Sequence, residues 1–148
     1  MKIRNGFVSN SSSSSFIVVF PWDPTCADDV HTILFGTNEK LLGDYYYDDK
    51  FKLPSRWAAE LIWRDIQKQR PGGADFGSVL NATINTIESL LYENEHQRDA
   101  VVKAVVEAAI RRQPIYAFDY WDNESSAESI LCSGEAFENV MSYKIASH

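Results

Sequence analysis

Five apolar residues in unbroken succession, Phe16-Ile17-Val18-Val19-Phe20, stand between a serine tract and Pro21. Aromatic and β-branched side chains bounded by serines and proline read as a buried strand. Such a strand needs neighbours in a sheet, and the best strand-like segments lie far downstream. Ile115 to Trp121 alternates, with Tyr116, Phe118 and Tyr120 on one face and Ala117 and Asp119 on the other. Val140 to Ile145 alternates again. The two terminal regions are therefore expected to meet in one sheet.

Helical spacing fills the chain between them. Cys26, Val30, Ile33 and Leu34 share a face ahead of Gly36, with Asp23 or Thr25 placed to cap. Ser55, after Pro54, can cap a helix carrying Ala58, Leu61, Ile62 and Ile66, which Pro71-Gly72-Gly73 ends. Asp75 opens a stripe of Phe76, Val79, Leu80, Ile84, Ile87 and Leu91. Asn94 and Gln97 have capping-box spacing before Val101, Ala104, Val105, Ala108 and Ala109; Arg111 and Arg112 complement the helix dipole, and Pro114 stops the helix. Ser125 and Glu128 repeat the box before Ile130, Leu131 and a stop at Gly134. Between Thr37 and Leu53 the pattern breaks down around Tyr45-Tyr46-Tyr47, as a short edge strand or an exposed loop.

The expected fold is α+β: a small mixed sheet of three to four strands packed against four to five helices. A serine-rich arm over residues 1–15 would precede a single globular domain over 16–148. The length of 148 residues and the 45% apolar fraction suffice for one core without staples.

Composition narrows the function classes. A formal charge of −7 argues against a phosphate-backbone binder, since nucleic-acid affinity rests on clustered Lys and Arg. No apolar run approaches membrane-spanning length. Lys2 and Arg4 are not followed by an apolar core long enough for an export signal. Cys26 and Cys132 match no metal or disulfide spacing, so reduced thiols and a cytoplasmic setting are expected.

The serine tract, Ser9-Asn10-Ser11-Ser12-Ser13-Ser14-Ser15, poses an energetic question. Fixing five serines costs about 5–10 kcal/mol of backbone entropy, comparable with the net stability of a domain. Either the tract stays mobile or nearly every residue finds a hydrogen-bond partner worth about 1 kcal/mol. The plainest reading is a polar loop or arm leading into the strand. A second is a recognition or modification segment offering hydroxyls to a transferase. A third, an anion cradle, lacks the glycines, the lysine and the strand-to-helix placement of a phosphate loop.

Two other groups are candidates for chemistry or binding. Asp119, Asp122 and Glu124 gather at the end of a predicted strand, where they could hold a cation or serve an enzyme or nucleotide-binding protein. Their spacing is not that of an EF-hand, and acidic residues ahead of a helix ordinarily complement its dipole. Tyr45, Tyr46 and Tyr47, set among Asp44, Asp48 and Asp49, could form a protein-binding surface, exposed tyrosines being favoured anchors. His31, His96 and His148 are widely separated, with no zinc spacing and no nucleophile elbow, so nothing fixes the partners of a serine–histidine–acid triad. No cofactor or resident metal is expected.

The words "IRNGFVSNSSSSSFIVVF" resemble the start of many uncharacterised small proteins encoded by bacteriophages and some prokaryotes, where the segment behaves as a portable leader. "IYAFDYWDNESSAESILCSGEAFENV" resembles the C-terminal part of one such phage family, with Leu131-Cys132-Ser133-Gly134 standing where a Glu-His-Gly stretch would fall. The resemblance implies a phage accessory protein and supplies no activity. The resulting expectation is a non-catalytic protein that binds a host or phage protein, or a second copy of itself, without nucleic acid or membrane. The alternatives are the small enzyme or nucleotide- or metal-binding protein above, and a structural virion component.

Overall fold

The computed structural model describes residues 13–43, 51–69, 83–85, 87–89, 91, 94–121 and 126–147. Strand β1 (Ser13–Val19) is followed by α1 (Ala27–Phe35), two short strands β2 (Leu41–Leu42) and β3 (Leu53–Pro54), and α2 (Ser55–Gln69). After helical residues at 83–85 and 87–89 come α3 (Glu95–Ile110), β4 (Ile115–Trp121), α4 (Ser126–Leu131), a 3-10 turn (Glu135–Phe137) and β5 (Met141–Ser147). The fold is α+β.

The ends of the chain meet in a three-stranded sheet of order β4-β1-β5, and β2 and β3 form a separate pair. The sheet expected as mixed is antiparallel in all its pairings. Its central strand starts three residues earlier than the apolar run, at Ser13, so the last three serines belong to the sheet and not to an arm. Ser14 lies opposite Tyr120 and Ser147, and Ser15 opposite Asp119 and Ala146. Being central, this part of β1 has a pairing strand on each edge, which offsets the entropy of ordering serines. One irregularity marks the junction: Ser15 pairs with Ala146 but Phe16 with Lys144, leaving Ile145 as an extra residue in β5, a β-bulge.

Both faces of the sheet are covered, which explains an apolar run where a one-sided sheet would alternate. Phe16, Val18 and Phe20 join Tyr116, Phe118 and Tyr120 in a core with α1, α2, α4 and the 3-10 turn. Phe137 stacks on Phe118 with ring centroids 5.2 Å apart, and Phe20 meets Tyr116 edge-on at 5.5 Å. Ile17, Val19 and Ile115 pack on the other face against Ile87, Leu91, Val101, Val105 and Ala108. Cys132 is buried, Cys26 is exposed, and the two are not joined in a disulfide.

Some local signals act as their chemistry dictates and some do not: α1 is capped by neither Asp23 nor Thr25, its N-cap being Cys26 with no side-chain cap bond. Asn94 Oδ1 accepts the Gln97 N–H at 3.1 Å, and the Gln97 side chain accepts in return from the Asn94 side-chain amide. Gly36 ends α1 at a positive φ of 79°, and Gly134 follows α4 in the left-handed conformation with φ 83°. Ser125 lies outside the described residues, and Glu128 accepts the N–H of Trp121 at 3.2 Å, closing the end of β4. Ser55 does not cap its own helix. Its hydroxyl faces α1 and β2, and Glu39 Oε1 accepts the Arg56 N–H at 2.9 Å in its place.

Candidate functional site

The β2–β3 pair was not foreseen from the sequence, and it gathers the features most suggestive of a site. Each strand is two residues long, too short to show a period, so its position is set by what it is tied to. Ser55 N–H donates to the Lys40 carbonyl at 2.7 Å and Lys40 N–H donates to Ser55 Oγ at 2.8 Å, clamping the pair to the start of α2. Gly43 N–H donates to Glu135 Oε1 at 2.9 Å, tying the other end to the 3-10 turn. Leu42 and Leu53, opposite one another, are buried in the core.

A half-open cleft of about 310 Å³ lies against this pair. Phe35, Leu41 and Leu42 supply its apolar wall, and Lys40, Glu135, Glu138 and Asn139 its polar one. The volume sits at the small end of ligand pockets, about 300–1,000 Å³. Two large apolar side chains are exposed on the strand pair and the helix that follows it. Leu41, paired with Pro54 and lining the cleft, is 59% exposed. Trp57, one turn into α2, is 47% exposed and meets Phe51 edge-on with ring centroids 6.0 Å apart. A half-exposed tryptophan held by a neighbouring ring is a pre-ordered contact surface that loses little side-chain entropy on binding.

Charge around the base is largely internally matched. Arg56 pairs with Asp28 at 3.0 Å and faces Glu39 at 3.9 Å, and Lys52 Nζ donates to the Gly43 carbonyl at 3.5 Å. His31 Nε2 and Ser55 Oγ are 2.7 Å apart beneath the cleft, and Ser55 is wholly buried. This is a serine–histidine contact, but no substrate reaches its hydroxyl. The sequence reading had no means of pairing these two residues, although His31 beside Val30 and one turn before Leu34 already marks it as facing the core.

The residues singled out from the sequence fall in several places. Tyr45, Tyr46 and Tyr47 lie outside the described residues, in the segment joining Gly43 to Phe51, and therefore between the two strands of the pair. Asp122, Glu124, Ser9, Asn10, Ser11 and Ser12 also lie outside them. Ser13 opens β1. Ser14 and Ser15 are buried, at 4% and 8% exposure, so in the folded chain their hydroxyls are not presented to a modifying enzyme. Ser15 Oγ–H donates to Asp119 Oδ1, which makes exposed Asp119 a partner of the strand beside it.

A second polar group sits at that end of β4. Tyr120 is almost fully buried, and its Oη has no partner in good hydrogen-bond geometry. Burial first, then the negative charge of Asp65, holds the phenol well above its ordinary pKa, so it stays neutral. Asp65 on α2 is itself raised, chiefly by burial, with Lys68 and the Tyr120 hydroxyl opposing. Among the described residues no group of three His, Cys, Asp or Glu is placed to hold a metal ion, and no helix is long and apolar enough to cross a membrane.

No protein-family model, curated protein or solved structure matches the chain.

Proposed function

We propose that the protein acts by binding another protein, as an accessory protein of the phage type its N-terminal words resemble, and that the base of the β2–β3 pair is the binding face. The observation that carries this reading is the exposure of Leu41 on backbone clamped at both ends and on the wall of a cleft, with Trp57 exposed on the helix that follows β3. Their position on either side of the segment containing Tyr45, Tyr46 and Tyr47 supports it, because tyrosine and tryptophan dominate the energetics of protein interfaces. The partner is a host or phage protein met in the host cytoplasm.

Affinity capture from infected cells, comparing the native chain with the double variant Leu41→Asp, Trp57→Asp, tests the reading. Both positions are exposed, so the variant should keep the native circular dichroism and unfolding midpoint. The native chain is expected to retain a specific partner that the variant loses. Identical capture by both, or none by either, contradicts the reading, and light scattering on the free protein separates a foreign partner from a second copy.

A further inference from the structure

The polar wall of the cleft beside the β2–β3 pair holds more acid than base. Glu135 and Glu138 come from the 3-10 turn and its C-cap, and the only basic side chain lining the cleft is Lys40, on the connection into β2. Among the described residues none of these three makes an ion pair. The other cations near the strand pair are committed, Arg56 to Asp28 and Lys52 to the Gly43 carbonyl.

Part of the acceptor set is already fixed in place. Glu135 Oε1 accepts the Gly43 N–H at 2.9 Å, which holds that carboxylate and leaves Oε2 to accept. Asn139 donates through Nδ2 to the Leu34 carbonyl at 3.3 Å and keeps Oδ1 as an acceptor. The apolar wall is buried Phe35 and Leu42 together with exposed Leu41.

We infer that the cleft receives an arginine side chain of the partner protein, which rests on the reading that the β2–β3 pair is the binding face. An aliphatic stem suits the apolar wall. A guanidinium suits the polar one, because it brings five N–H donors, no acceptor and a permanent positive charge. Its bonds to carboxylates are charge-assisted and stronger than neutral ones. A volume of about 310 Å³ fits one inserted side chain better than a large cofactor. The formal charge of −7 draws a basic surface toward the chain. An acidic insert would set like charge against both glutamates, and an apolar one would desolvate them without a partner.

Two readouts test the assignment. N-acetylarginine methylamide, titrated into the full chain at low ionic strength and followed by nuclear magnetic resonance, should shift the Leu42, Gly43, Glu138 and Asn139 amides to saturation. Its neutral isostere, N-acetylcitrulline methylamide, should not. Glu135→Gln combined with Glu138→Gln keeps an oxygen for the Gly43 N–H, so the fold should persist while the arginine probe binds at least about tenfold more weakly. In capture from infected cells that double variant should lose the partner the native chain holds. Amides that do not move, equal shifts from the citrulline probe, or undiminished probe binding by the double variant overturns the arginine assignment. A partner retained equally by the native chain and the double variant overturns it while the binding face stands, whereas no partner on the native chain refutes the face and the arginine with it.

Discussion

Asp65 shows how burial of one carboxyl sets a pH dependence. Its folded pKa is raised, chiefly by loss of solvation, above the value of the unfolded chain. The associated stability is therefore fully present below the unfolded value, about 3.9, and is lost as pH rises through the folded one. Asp65→Asn removes this dependence, so the variant should gain on the native protein as pH rises from about 4 to 7. Urea unfolding at a series of pH values checks it, and a gap that stays constant or reverses contradicts the assignment. Gly134 makes a second test at this scale: its φ is 83°, and an added Cβ would stand 3.0 Å from Phe16 Cε1. Left-handed backbone strain of about 1–2 kcal/mol adds to that contact, so Gly134→Ala should lower stability by about 1–3 kcal/mol in denaturant titration. None of these positions was legible as a contact beforehand, because His31 with Ser55, and Phe16 with Gly134, are joined only by tertiary packing.

Among the elements, those with a long period were readable and those fixed by partners were not. The apolar stripe through Ala58, Ile62 and Ile66 and the face through Val101, Val105 and Ala108 are buried as their spacing requires. The alternation of Tyr116, Phe118 and Tyr120 correctly gives the packed face of β4. The strand assignment of Ser13–Ser15 and the Leu41–Leu42/Leu53–Pro54 pair escaped, since serines have little strand propensity and two residues carry no pattern. So did the treatment of the outer edge of β4. Gln69 reaches from the last turn of α2 to Ala117, accepting its N–H at 2.9 Å and donating to its carbonyl, so a side-chain amide stands in for a neighbouring strand. Gln69→Ala should cost about 1 kcal/mol and speed amide exchange at Ala117. An unchanged exchange rate would show that the edge is protected by something else.

On the scale of the whole molecule, the central strand near one end of the sequence is held by two strands from the other, with helical residues over both faces of the sheet. That arrangement makes Phe137, fully buried and in ring contact with Phe16, Phe118 and Tyr120, a keystone of one face. Phe137→Ala should lower stability by about 3–5 kcal/mol, read from chemical denaturation. The same frame lets a pair of two-residue strands present Leu41 and the helix that follows them present Trp57. Other apolar side chains are exposed elsewhere, Val106 and Ile110 on α3 among them, and α3 supplies no residue of the cleft or of the clamp between Lys40 and Ser55. The proposed binding face can therefore be tested by a photo-crosslinking amino acid placed at Trp57 in one protein and at Ile110 in another, each irradiated in infected cells. A specific adduct from position 57 and none from position 110 is the predicted result; no adduct at 57, or equal adducts at both, would contradict the account.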